Sequence, residues 1–348
     1  MQEKGKIKLG ISIGDLNGIG CEVVLKTFED VRMLDFCTPI IFASNKTMAF
    51  QKSALNIDVN YNGIKEPGMA LDGKVNVVNV WRETPKVQFG TPTSESGKYA
   101  IQSLRAAVEA LKNDEIDVLV TAPINKNNIQ AEDFKFPGHT DFLAQEFEGE
   151  SLMFMVSEGL RIGLLTDHVA VKDIAAAITP KLIRSKIATI ENSLKQDFGI
   201  RKPKIALLGI NPHSGDNGVI GKEDDEVLKP VIAELSEKGQ LVFGPYSADS
   251  FFGSDNFMQF DAILAAYHDQ GLIPFKTLSF GKGVNYTAGL SKVRTSPDHG
   301  TAYEIAGKGV ADNSSFKEAV FAALSIFKNR LEYKELTSDV LKKQKIKR

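Results

Sequence analysis

The chain holds only five histidines: His139, His168, His213, His268 and His299. Each lies in a short polar or glycine-containing step: Gly138-His139-Thr140, Thr166-Asp167-His168, Asn211-Pro212-His213, Tyr267-His268-Asp269 and Asp298-His299-Gly300. Three of them, His168, His213 and His268, follow apolar runs that read as strands, residues 162–165, 205–210 and 262–267. Ligands of α/β sheets bind beyond the carboxyl ends of strands. Three imidazoles at equivalent strand ends can therefore converge on a divalent ion that keeps an open coordination position. The plainer reading makes them solvated or capping loop residues, and the sequence leaves both open. Their separations, 45 residues (168 to 213) and 55 (213 to 268), are too long for a zinc ribbon or finger. A metal site here would be built by the fold and would be catalytic.

A second group of residues suits an anion. Thr140 precedes a helical run, residues 141–146, and reads as its N-cap with free backbone N–H groups behind it, a setting that receives phosphate. Lys276, Lys282 and Arg294 follow His268 in and around the glycine-rich segment Gly281-Lys282-Gly283-Val284-Asn285. Arginine and lysine are the usual phosphate clamps, although solvated loop cations have the same appearance. The turn Gly14-Asp15-Leu16-Asn17-Gly18-Ile19-Gly20 lies between a strand and a helix, and its glycines permit close backbone approach to a ligand. It is not the dinucleotide fingerprint G-x-G-x-x-G, and the chain has no Walker A loop. Neither cysteine neighbours a histidine in sequence, so covalent hydrolase chemistry has little support.

These residues need elements to hold them. Short apolar runs alternate with longer amphipathic stretches, the pattern of an α/β protein. Strands are expected over residues 6–13, 39–43, 75–80, 118–122, 152–156, 162–165, 205–210 and 262–267, with 152–156 and 162–165 paired. Helices are expected over 21–30, 94–112, 180–195, 224–238, 301–306 and 316–333. The clearest is 94–112, where Ala100, Ile101, Leu104, Ala107, Val108 and Leu111 recur at helical spacing. No linker rich in serine, glycine or proline divides the chain, so any domains are interleaved in sequence.

At 348 residues the chain is long enough for two domains and a large core. Its 42 basic and 44 acidic side chains give a net charge of −2, which argues against nucleic acid or an anionic membrane surface as partner. Only Cys21 and Cys37 are present, which fits a reducing cytoplasm rather than a disulfide framework. The N-terminus shows no secretory h-region, and no run of 18 apolar residues predicts a membrane span. The basic tail, residues 342–348, reads as a solvated end.

Read together, the strings are specific. Gly14-Asp15 with Gly18-Ile19-Gly20, Thr121-Ala122-Pro123-Ile124-Asn125-Lys126, Gly138-His139-Thr140, Asn211-Pro212-His213, Gly244-Pro245 with Ala248-Asp249, Tyr267-His268-Asp269-Gln270-Gly271, and Arg294-Thr295-Ser296 with Asp298-His299-Gly300-Thr301 occur in order from about Gly10 to Asp312. The chain resembles the 4-hydroxythreonine-4-phosphate dehydrogenases, NAD-dependent enzymes of pyridoxal 5′-phosphate biosynthesis. The resemblance implies two interleaved α/β/α domains similar to isocitrate and isopropylmalate dehydrogenases: residues 1–126 plus about 295–348, and residues 127–294. It implies a cytoplasmic homodimer with the active site at its interface, and a divalent metal on His168, His213 and His268. Zinc, magnesium and cobalt are the family's ions, and a set of three imidazoles suits zinc best. Substrate contacts fall on His139, Thr140, Lys276, Asn285 and Arg294, while the residues holding NAD are unassigned.

The implied reaction oxidises and decarboxylates 4-phosphohydroxy-L-threonine, giving 3-amino-2-oxopropyl phosphate and CO2. Lys276 or Asp249 would move the protons, and Asp269 and Asp298 would orient imidazoles or cap loops. A sister dehydrogenase acting on D-erythronate or D-threonate 4-phosphate would keep the same residues. A non-catalytic phosphate-ligand binding protein of this fold is a further alternative, against which the three intact histidines speak. Two departures stand out. Asn125 occupies a position where many members carry histidine, and Leu16-Asn17 replaces the proline and alanine that follow the aspartate elsewhere.

Overall fold

The computed structural model describes residues 5–130, 134–136 and 138–338, so the basic tail lies outside the described residues. Among these, twelve strands are found: β1 (Ile7–Ser12), β2 (Cys37–Ala43), β3 (Tyr61–Ile64), β4 (Val75–Asn79), β5 (Val118–Thr121), β6 (Gly149–Ser157), β7 (Leu160–Leu164), β8 (Lys204–Leu208), β9 (Leu241–Tyr246), β10 (Ala262–Ala265), β11 (Val284–Leu290) and β12 (Val293–Pro297). The helices are α1 (Gly20–Glu29), α2 (Asn45–Leu55), α3 (Ser94–Lys112), α4 (His139–Glu146), α5 (Ile174–Ala177), α6 (Pro180–Gln196), α7 (Lys229–Glu237), α8 (Ala248–Phe252), α9 (His268–Leu278) and α10 (Ser314–Ser338).

All twelve strands join in one mixed sheet, ordered β3-β4-β2-β1-β5-β12-β11-β6-β7-β10-β8-β9. Six strands from β3 to β12 run parallel, as do the four from β7 to β9. Three antiparallel pairings link these blocks, β12 with β11, β11 with β6 and β6 with β7, so the blocks point in opposite directions. The expected α/β class and the pairing of 152–156 with 162–165 are therefore found. Strand β12 returns late in the chain to lie beside β5, and α10 packs on both.

The local rules behind these elements are visible. Every position of β2 is buried, as a parallel strand covered on both faces requires. Helix α3 spans the expected residues and opens on a capping box, in which the Thr93 hydroxyl accepts from the Ser96 N–H at 3.1 Å and the Ser96 hydroxyl accepts from the Thr93 N–H at 3.4 Å. Two helices differ from expectation. Residues 301–306 form successive turns, because Ala302 (φ 43°), Gly307 (φ 77°) and Gly309 (φ 70°) leave the helical region. The run starting at residue 224 opens with a wider π-type turn, Asp224–Leu228, before α7 begins.

The two faces of the sheet are covered differently. On one, a single apolar core extends under α1, α6, α7 and α10. The other carries two separate cores. One packs α3 and α4 on the first parallel block, around Phe42, Leu104, Leu119, Phe142 and Leu143. The second packs α8 and α9 on the other block, around Met155, Ile162, Phe251, Leu272 and Phe275. Between them the linking strands β12, β11 and β6 lack an apolar cover.

Candidate active site

The gap between those two cores is a cavity of about 270 Å³. Its floor comes from the linking strands, where Arg294 on β12, Asn285 on β11, and Met153 and Met155 on β6 face the opening. One wall is the first turn of α4 with His139 and Thr140; the opposite wall is α9 with His268 and Lys276. His168, from the loop after β7, closes a third side. Seven of the residues singled out from sequence thus meet in one cavity.

Its electrostatics favour an anion. Arg294 is 3% exposed, and burial lowers its guanidinium to a pKa of about 9. It donates through Nε and Nη2 to the Thr121 hydroxyl, at 3.0 and 2.6 Å, and through Nη1 to the Thr287 hydroxyl at 3.1 Å. These partners are neutral, whereas a buried charge is ordinarily paired. Burial, and then the positive charges of Arg294 and Lys126, push the His139 imidazole well below its ordinary pKa, so the ring is neutral. Three buried polar atoms facing this cavity lack hydrogen-bond partners among the described residues: His139 Nε2, Asn285 Oδ1 and His299 Nε2. Buried polar groups are normally satisfied, so three orphans in one cavity mark a ligand's place.

Helix α4 adds to this. Gly138, not Thr140, is its N-cap, and it offers no side-chain acceptor to the first N–H groups. Thr140 sits inside the first turn, at the positive end of the helix dipole. Lys276 Nζ donates to the Asp298 carbonyl at 3.0 Å. Reading the sequence for sites missed Lys126, whose Nζ lies 3.3 Å from His168 Nε2 on the cavity wall. The Thr121–Lys126 string was the available signal.

The three strand-end histidines meet only in part. The His168 and His268 rings face one another with centroids 6.3 Å apart. Lysine only donates, so His168 Nε2 carries a lone pair. The His268 Nδ1 donates to Asp269 Oδ1 at 2.7 Å, leaving Nε2 as an acceptor in the manner of a metal-ligating histidine braced by a carboxylate. These two fit a metal's donor chemistry. His213 follows the neighbouring strand β8, in a left-handed turn at φ 53°, and does not line the cavity. Asp249 is also outside it. The Ser247 hydroxyl, donating at 2.6 Å, is the main cause of Asp249's lowered pKa, followed by the Ser250 N–H. Among the described residues no group of three His, Cys, Asp or Glu side chains lies close enough to hold a metal.

Comparison with known proteins gives the family. The family described as "Pyridoxal phosphate biosynthetic protein PdxA" matches residues 35–323. The chain belongs to the PdxA family. It is 47% identical over 344 residues to the 4-hydroxythreonine-4-phosphate dehydrogenase of Bacteroides thetaiotaomicron, covering 98% of this chain and 94% of that protein. It is also 34% identical to an Oceanobacillus iheyensis protein provisionally named D-threonate 4-phosphate dehydrogenase, covering 91% of this chain and 97% of that one. A crystal structure of a 4-hydroxythreonine-4-phosphate dehydrogenase from Burkholderia phymatum superposes with a TM-score of 0.76 at 34% identity, covering 93% and 99% of the two chains. This PdxA member is therefore a dehydrogenase. No helix among the described residues is long and apolar enough to cross a membrane.

Proposed function

We propose that the enzyme oxidises and decarboxylates 4-phosphohydroxy-L-threonine to 3-amino-2-oxopropyl phosphate and CO2, with NAD as hydride acceptor, in pyridoxal 5′-phosphate biosynthesis. The observation that carries this reading is the buried Arg294, a cation with only hydroxyl partners, set beside a neutral imidazole and an uncapped helix start. Such a floor suits a phosphate, which arginine grips through two oxygens. Asn285, Thr140 and Lys276 would hold its remaining oxygens and the substrate carboxylate. His139 would donate one N–H without adding charge.

Phosphate binding far from the reacting carbon supplies binding energy that fixes the C3 hydroxyl in place. A divalent metal, zinc by donor type, would lie on His168 and His268 with His213 as third ligand; when bound it acidifies that alcohol and polarises the resulting ketone. Loss of CO2 then leaves a carbanion at C2, which takes a proton. Lys276 would deliver it, a role supported by its position on the cavity wall and its hydrogen bond to the Asp298 carbonyl. Asp249 is the alternative proton carrier if the His213 loop moves inward. A homodimer with the active site at its interface, and a cytoplasmic setting that suits the free, buried Cys21 and Cys37, complete the proposal. So does the division into domains at residues 1–126 plus 295–348 and 127–294.

The Oceanobacillus relative favours a second reading, in which D-threonate or D-erythronate 4-phosphate is the substrate. NADH formation on the three compounds, with and without a chelator, decides. Chelator-sensitive turnover on the amino acid alone is expected; turnover only on the hydroxy acids would replace this reading with the second.

A further inference from the structure

The turn Gly14 to Gly20 does not line the cavity, although its glycines had suggested close approach to a ligand. What it approaches is the protein's own backbone. A Cβ on Gly14 (φ 67°) would stand 2.2 Å from the Pro123 carbonyl oxygen, and one on Gly18 would stand 2.7 Å from that of Thr301. Main-chain bonds lock both contacts: the Asp15 N–H donates to the Pro123 carbonyl at 2.9 Å, and the Ile19 N–H to the Thr301 carbonyl at 3.0 Å. The two loops so gripped, around 121–126 and 298–303, carry Lys126 and His299 into the cavity.

Asp15 stands at the centre. It is completely buried, and every described donor to it is neutral. Its Oδ2 accepts from Asn128 Nδ2 at 2.6 Å, from the Tyr303 hydroxyl at 2.9 Å and from the Ser96 hydroxyl at 3.0 Å, while Oδ1 accepts from the Asn17 N–H at 2.8 Å. Tyr303 therefore ties the second loop to the first turn, and Asn128 ties the segment just beyond Lys126. Burial and the Asp15 charge push the Tyr303 phenol up to about 12, so it remains a donor, and the Asn125 side chain bears on the same hydroxyl. Asn125, a position where the sequence departs from the family pattern, also accepts through Oδ1 from the Asn127 N–H at 2.8 Å, which braces the backbone on both sides of Lys126.

We propose that Lys126 is an anion-binding residue of the active site and that the Asp15–Tyr303–Asn125 cluster is the device that positions it. This rests on the cavity being the phosphate site argued above. Lys126 lines the same cavity as His139 and Arg294, with its Nζ 3.3 Å from His168 Nε2, the position of a further cation beside Arg294. A lysine on a flexible stem gains affinity only if its base is held. Asn125, directly before it, supplies that hold from behind the cavity wall.

The test is a double-mutant cycle on the full-length enzyme, with inorganic phosphate as the probe and isothermal titration as the readout. Lys126→Met is expected to weaken phosphate about tenfold, the effect of losing one charged hydrogen bond. Tyr303→Phe, which removes one oxygen, is expected to weaken it about threefold. In the Lys126→Met background, Tyr303→Phe should change nothing further, since its effect passes through the ammonium. A purely structural tyrosine would give multiplicative losses, and that result would overturn the positioning role. An unchanged affinity in Lys126→Met would overturn the binding role. Asn125→Ala provides the same cycle should Tyr303→Phe fold poorly. Wild-type enzyme that binds no phosphate would remove the anion site itself, and this inference with it.

Discussion

Arg294 and Thr121 are bound by two hydrogen bonds from one guanidinium to one hydroxyl, at 3.0 and 2.6 Å, beneath the cavity. The pair aims a buried charge without neutralising it. Replacing Arg294 with Met should therefore separate function from folding. Catalytic efficiency on a phosphorylated substrate should drop by about a hundredfold or more, the scale of losing one partner of a buried charge pair. Thermal stability of the unliganded protein should hold or rise, because an uncompensated buried charge has been removed. Steady-state kinetics and a melting curve on the same preparation check both.

Burial and the nearby Arg294 and Lys126 keep His139 well below 6.5. The unfolded chain takes up a proton near that pH which the folded chain refuses. Stability attributable to His139 is thus complete above about pH 6.5 and is lost as pH falls below it, by about 1.4 kcal/mol per unit for one proton. His139→Gln should flatten that part of the profile. Melting points measured from pH 7 to 5 in phosphate-free buffer would show it, and parallel profiles would contradict it.

Away from the site, Asp197 is completely buried and is held by three groups. Arg330 Nε donates to it at 2.6 Å, the Tyr286 hydroxyl at 2.6 Å and the Ser193 hydroxyl at 2.6 Å. This network fastens α10 to α6 and β11. Arg330→Ala leaves a buried carboxylate without its cation and should cost about 3–5 kcal/mol in denaturant unfolding. The folded fraction should keep wild-type kcat and KM.

Metal binding is testable without activity. His168→Ala and His268→Ala should each retain little zinc or cobalt after dialysis, as measured by elemental analysis. If His213 is the third ligand, His213→Ala should weaken binding as well, and cobalt should lose its visible spectrum. Full metal content in all three variants would remove the metal from this site.

How much of this was legible beforehand depended on burial. Runs such as residues 39–43 are apolar throughout because both faces of the strand are covered there, and they read directly as strands. The strands that floor the cavity do not. In β11 and β12, Asn285, Thr287, Arg294 and Ser296 alternate with core residues such as Val284, Tyr286, Ala288 and Val293 because one face meets a polar site rather than a core, so neither segment has a strand's usual apolar signature. Local spacing could place His139 beside Thr140, yet it could not show Arg294 lying beneath them, a relationship made by the β12–β5 pairing. The glycines at 14 and 18 suggest close approach to a ligand, but no ligand cavity among the described residues lies against them. What approaches them is backbone from residues 123 and 301, which only the folded chain reveals.

The proposed reaction depends on the cavity over Arg294 binding the phosphate of the reacting molecule. The direct measurement is NADH formation on 4-phosphohydroxy-L-threonine against the same compound without its phosphate. Efficient turnover of the phosphorylated compound, with the other slower by about a hundredfold or more, is the expected result. Equal kcat/KM on the two would contradict it, because Arg294, His139 and Lys276 would then have no phosphate to hold.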